Sequence, residues 1–122
     1  MKNIPPNLQS AIELFMFHCQ YEKNLSTKTL AAYALDLSQF TTFTAAAQLS
    51  FADITVENIR DFLRNISHYK PKTIKRKIAT LKAFFNYIEQ EDEAFYNPMH
   101  RLRIRIKVPS LLPNVLTAVL RL

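Results

Sequence analysis

Seven cations stand between Asp61 and Glu89 with no acid among them: Arg64, Lys70, Lys72, Lys75, Arg76, Lys77 and Lys82. Exposed helices usually interleave Glu with Lys four residues apart, which favours the helix. Here like charges accumulate, which costs folding free energy unless an anion relieves it. The chemistry that suits such a run is contact with a chain of phosphates. The bland alternative is a solvated helix face.

Other chemistries find little support. His18, His68 and His100 are isolated, with no His-Glu-x-x-His or Cys–His spacing, so no metal site is expected. Glu91, Asp92 and Glu93 are consecutive, so on a helix end they point in different directions and read as a solvated terminus. The chain has no glycine, which excludes Gly-rich phosphate loops and the Gly-x-Ser-x-Gly elbow. No cofactor is expected, and no catalytic residue. Cys19 is the single cysteine, so no internal disulfide forms, and its place on an apolar stripe reads as a small buried hydrophobe. The start, MKNIPPNLQS, lacks the apolar core of a signal peptide, and no apolar run is long enough to span a membrane. A reducing, cytoplasmic setting without membrane contact is the expectation.

Helices must position the cations. Tight hairpins rely on Gly or Asn at positive φ, so a glycine-free chain is a poor β candidate. Length and balance fit one small globular domain: 122 residues, 48% hydrophobic and 21% charged. Leu8, Ile12, Phe15 and Cys19 mark a first helix over residues 7–22, preceded by Pro5 and Pro6. Ser26 caps a second helix that runs to about residue 45, with Leu30, Tyr33, Leu37, Phe40 and Phe43 or Thr44 on its stripe. The link AAAQLSFADI shows no periodicity. Thr55 caps a third helix, whose buried side is Ile59, Phe62, Leu63 and Ile66. Pro71 opens a fourth, with Ile74, Ile78, Leu81, Phe84, Phe85 and Ile88 inward and an end near residues 90–94.

On a wheel of about 100° per residue, the fourth helix sorts its cations. Lys75 and Lys82 fall roughly 90° from Ile74, and Lys72 and Arg76 roughly 180° from it. Ala79 and Ala83 lie close by. Two cationic rails flank a small-residue floor, a shape that lets a helix approach a groove while its long side chains reach phosphates. Lys77 falls beside the apolar stripe and is expected to snorkel to solvent. On the outer face of the second helix, Leu35 points away from the stripe. It meets a thymine methyl, packs on another subunit, or is simply an exposed leucine.

The charge is uneven along the chain. Residues 1–60 hold four cations and five acids, and residues 61–122 hold twelve cations and five acids. After Asn97–Pro98, Arg101, Arg103, Arg105 and Lys107 alternate with Leu102, Ile104, Ile106 and Val108. That period of two reads as an extended basic segment, which either follows a nucleic-acid backbone or serves as a solubilising linker. Beyond Pro109 and Pro113, NVLTAVLRL reads as the start of a further helix.

Several ordered pieces carry a family resemblance. LSTKTLAAYALDLSQFTTF supplies Leu25, Ser26, Thr29, Tyr33, Asp36, Leu37, Phe40 and Phe43. DITVENIRDFL follows as a short third helix. TIKRKIATLKAFFNYIEQE supplies Thr73, Arg76, Leu81, Phe84, Phe85 and Tyr87, with Asn97–Pro98 beyond, and LLPNVLT closes the set. Together they resemble the N-terminal core-binding domain of the tyrosine recombinase (phage integrase) family, in its Xer-like branch.

The resemblance implies an all-α fold, a compact four-helix SAM-like bundle over residues 1–98. A basic linker over 99–113 and a stub of a second, catalytic domain over 114–122 follow. It implies a partner, double-stranded DNA, with the second and fourth helices facing the major groove and the bundle forming half of a clamp. The family's catalytic half carries Arg, Lys, His and a tyrosine nucleophile. None of those is expected here, and Tyr33, Tyr69, Tyr87 and Tyr96 are not taken for the nucleophile. The expected DNA-binding residues are Thr27, Lys28, Lys72, Thr73, Lys75, Arg76, Ala79, Lys82, Arg103 and Lys107. The chain alone is expected to be a monomer, and the full-length protein an oligomer on DNA. The alternatives are a free-standing DNA-binding regulator and a protein-interaction bundle whose basic face meets an acidic partner.

Overall fold

The computed structural model describes residues 7–102. Among them are four α-helices and no strand: α1 Leu8–Phe17, α2 Thr27–Ala46, α3 Val56–Asn65 and α4 Pro71–Glu91. A π-helical turn, His18–Glu22, prolongs α1, and a 3-10 turn, Phe51–Asp53, breaks the link between α2 and α3. Pro5, Pro6, Arg103, Lys107, most of the basic segment and all of residues 114–122 lie outside the described residues.

Local signals set the helix starts. Asn7 Oδ1 accepts the Ser10 backbone N–H at 2.8 Å, and Ser26 Oγ accepts that of Thr29 at 3.1 Å. Thr55 and Asn58 form a reciprocal capping box: Thr55 Oγ1 accepts Asn58 N–H at 3.3 Å and Asn58 Oδ1 accepts Thr55 N–H at 2.8 Å. Lys70 has no capping side chain, but Pro71 stands in the first turn of α4, where its missing N–H is no loss.

Without glycine, other residues take the left-handed backbone at helix ends. Asn24 has φ 54° and Gln48 has φ 56°. At Gln48 the chain closes as a Schellman motif, with Gln48 N–H donating to Ala45 O at 3.1 Å and Leu49 N–H to Thr44 O at 2.9 Å. Lys23 N–H reaches back five residues to His18 O at 3.0 Å, and Leu25 N–H reaches Cys19 O at 3.1 Å.

The predicted stripes meet in one core. Phe15, Leu37, Phe40, Ile59, Phe62, Leu81, Phe84, Phe85 and Ile88 are all buried, and the aromatics interlock. Phe40 packs edge-on to Phe62 at 5.1 Å and to Phe85 at 6.1 Å between ring centroids. Phe51, in the link that showed no periodicity, is buried beside Phe84 and Phe95. Each such phenylalanine contributes about 1.5–3 kcal/mol by leaving water. Leu30, Tyr33, Phe43, Leu63 and Ile74, expected inside, are half-buried at the edge of this core. Met99, the first residue of the expected linker, is buried, and Leu102 packs against the core.

Candidate nucleic-acid interface

The polar side of α4 is built around one carboxylate on α2. Asp36 is buried and accepts four hydrogen bonds, two on each oxygen. Oδ1 takes Arg76 Nη2 at 2.6 Å and Lys77 Nζ at 2.8 Å. Oδ2 takes Arg76 Nε at 3.1 Å and Thr80 Oγ1 at 2.8 Å. A carboxylate has about four acceptor sites, so Asp36 is saturated.

The network continues past Asp36. Lys77 Nζ also donates to Gln39 Oε1 and lies 5.1 Å from the centre of the Tyr69 ring. Gln39 Nε2 donates to the Tyr69 hydroxyl at 3.1 Å. No buried side-chain polar atom among the described residues lacks a partner. Burial pushes the Asp36 carboxyl up, but the hydrogen bonds from Arg76, Lys77 and Thr80 and the Lys77 charge outweigh it, so its pKa falls below the ordinary value. The Asp36 bond raises the Arg76 guanidinium in turn.

Two sequence expectations are corrected here. Lys77 does not snorkel: its side chain is 2% exposed and ends on Asp36 inside the bundle. Its place beside the apolar stripe put it against α2 rather than at the rim. The run from Asp61 to Glu89 is also not free of acidic partners. Arg64 pairs with Asp61, and Arg76 and Lys77 pair with Asp36.

What stays free is narrower. Of that run, Lys70, Lys72, Lys75 and Lys82 meet no acid among the described residues, and neither do Lys23, Lys28 and Arg101. Lys72 and Ala79 are exposed, and Thr73, Lys75, Lys82 and Ala83 are half-buried. The predicted floor and rails thus line one open side of α4. Arg76 sits at the margin, with a side chain 44% exposed although it is paired.

Thr27 and Lys28 are exposed in the first turn of α2. They do not cluster with the start of α4. Asp36 and Gln39 meet the first half of α4, whereas Tyr33 shares the Phe15 ring with Phe84 and Tyr87 in its second half. α2 therefore runs against α4, and Lys28 lies toward the end far from Lys72 and Thr73.

Several groups that could do other chemistry are buried or paired. Burial raises the Cys19 thiol and the Tyr33 and Tyr87 hydroxyls, a direction away from reactivity. His100 pairs with Glu89 at 2.7 Å, and Asn97 Nδ2 donates to Glu89 Oε1 at 3.1 Å, which fastens the chain after α4. No group of three or more metal-ligating side chains comes together among the described residues. No helix among them is long and apolar enough to cross a membrane. Leu35 is 53% exposed, as its wheel position implied.

The profile of the phage integrase N-terminal SAM-like domain matches residues 12–92, which span α2, α3, α4 and most of α1. The chain belongs to that family. Among similar proteins, a tyrosine recombinase of Agathobacter rectalis is 33% identical over 114 residues, 90% of this chain and 36% of that protein. The tyrosine recombinase XerC of Roseiflexus castenholzii is 32% identical over 113 residues, 90% of this chain and 36% of that one. XerD of Rickettsia conorii is 31% identical over 98 residues, 79% and 32% of the two chains. The chain spans about a third of the length of these curated relatives. No solved structure matches it at a significant level. This phage-integrase SAM-like bundle is the part of such proteins that the sequence expectation named.

Proposed function

We propose that the chain is the DNA-binding part of a site-specific tyrosine recombinase and grips one side of duplex DNA for recombination or integration. The observation that carries this is the open side of α4. There Lys72, Lys75 and Lys82 surround Ala79 and Ala83 with no acidic partner among the described residues, in a member of the phage integrase family. Three ammonium groups on one helix face repel one another, and a row of phosphates relieves that repulsion. α2 adds Thr27 and Lys28 at the other end of the helix pair, so the footprint runs along both helices rather than from one point. Arg103 and Lys107, outside the described residues, supply further phosphate contacts in this reading. A separate catalytic domain completes the clamp and supplies the chemistry, and several copies assemble on DNA.

A salt titration of binding to duplex DNA tests the reading. Four to six phosphate contacts give a slope of log affinity against log salt of about −4 to −5. Half a clamp binds weakly, so the titration starts at low salt. A chain that leaves duplex DNA unbound at low salt, or binds it with no salt dependence, refutes the proposal and favours a protein-interaction bundle.

A further inference from the structure

Arg76 differs from the lysines around it, and the difference lies in Asp36. The carboxylate occupies the Nε–Nη2 edge of the guanidinium, at 3.1 Å and 2.6 Å. That edge faces into the bundle. Nη1 has no acceptor among the described residues, so the Nη1–Nη2 end of the fork remains available. The end carries two parallel N–H donors, and the side chain that bears it is 44% exposed.

A guanidinium already paired with a carboxylate is a poor phosphate anchor, because its charge is largely neutralised and little counterion release is left to gain. It is a good directional donor, because its orientation is fixed before any partner arrives. The neighbours suit close approach: Ala79 is three residues on and Ala83 seven, so no bulky side chain holds the helix away from a groove. In the major groove, the acceptor pair that a forked donor fits is O6 and N7 of guanine.

We infer that Arg76 reads a guanine edge through its Nη1–Nη2 end, and that Asp36 is the positioning residue that aims it while Lys72, Lys75 and Lys82 hold phosphates. This rests on the DNA-binding reading above and divides the labour within it. Lys77 and Thr80 belong to the aiming device, since they fill the two acceptor sites of Asp36 that Arg76 leaves open. With those sites filled, the carboxylate has no spare acceptor to draw Arg76 into another pose.

The test is selection of binding sites by the full chain from a randomised duplex pool, with sequencing of the bound fraction. Wild type is expected to enrich a site with guanine at a fixed position. R76K keeps the charge but not the fork, and is expected to bind the unselected pool within a few-fold of wild type. It loses that guanine preference by about tenfold or more. The double variant D36N/K77M removes the carboxylate without stranding a buried ammonium, and is expected to lose the same preference although Arg76 is intact. K77M alone keeps the Asp36 carboxylate and its two bonds to Arg76, and is expected to lose only part of that preference. Because the double variant can fail to fold, aiming is also read in the free wild-type chain by NMR. The Arg76 Nε–H signal is expected to exchange slowly with water, and fast exchange overturns the role of Asp36.

Failure to bind any duplex refutes the functional proposal itself. Binding without sequence enrichment, or enrichment unchanged in R76K, overturns this inference and leaves the DNA-binding reading standing.

Discussion

In α3, Arg60 pairs with Glu57 and Arg64 with Asp61, each three residues away on the same helix. In α4, the acid that meets Arg76 and Lys77 is Asp36, forty and forty-one residues earlier on another helix. The α3 pairs lie at the surface and settle their charge where it arises. The α4 pairs tie two helices together, and the lysines beside them meet no acid among the described residues. The same residue types therefore pair locally at the surface in one helix and join two helices in the next. The deciding variables are burial and the sequence distance to the counter-charge.

The largest expected effect follows from burial. Asp36→Ala leaves Lys77 as an uncompensated ammonium inside the protein, and is expected to destabilise the fold by about 3–5 kcal/mol in urea melts. Asp61→Ala removes an exposed partner and is expected to cost no more than about 1 kcal/mol. Equal losses would erase the contrast between the two helices. The pH dependence has a matching sign. The folded Asp36 pKa lies below its unfolded value, so the native state binds this proton less readily than the unfolded chain does. The stability it contributes is complete above the unfolded carboxylate range, about pH 4, and is lost as pH falls through the folded pKa. Asp36→Asn is expected to flatten that acid limb, read as melting temperature between neutral and acid pH.

The next effect concerns the free cations. Replacing Lys72, Lys75 and Lys82 by Ala together is expected to weaken duplex binding by one to two orders of magnitude at low salt. It reduces the salt slope by about 0.9 for each phosphate contact removed. The pair Arg60→Ala and Arg64→Ala removes two cations of the same overall charge class. It is expected to shift affinity only a few-fold, since both already meet acids on their own helix. Anisotropy titrations at several salt concentrations separate the outcomes. A loss from the α3 pair as large as that from α4 would make net charge, not placement, the driver.

How much of this was legible in the sequence depends on range. Ser26, Thr55 and Pro71 act within one turn of their own positions, and each opens a helix where the sequence placed it. The stripe Leu8, Ile12, Phe15 and Cys19 is buried as its spacing implied, because helical geometry alone fixes its face. The fate of Arg76 and Lys77 was not legible in the same way. A wheel drawn for one helix cannot show that Asp36 on another reaches its polar flank. The π-turn at His18–Glu22 was equally hidden, since it changes the hydrogen-bond register while leaving the stripe in place. Of the candidate site, the lysines and the alanine floor came from local spacing, and the pairing of Arg76 with Asp36 came only from the packing of α2 on α4.

The smallest expected effect tests whether proximity alone confers stability. His100 meets Glu89 at 2.7 Å, as short a contact as most in the Asp36 network. Hydrogen bonds from His100 and then Asn97 hold the Glu89 carboxyl below its ordinary value. Yet His100 is 61% exposed and Glu89 36% exposed, so water competes for both groups and screens them. His100→Ala is therefore expected to cost less than about 1 kcal/mol, read as a shift of about 4–8 °C or less in melting temperature. Asn97 still donates to Glu89 in that variant, so the chain stays fastened at the end of α4. If His100→Ala instead approached the loss expected for Asp36→Ala, contact distance would outrank burial in this bundle. The same distance inside and outside the core would then mean the same thing, which the physics of desolvation does not allow.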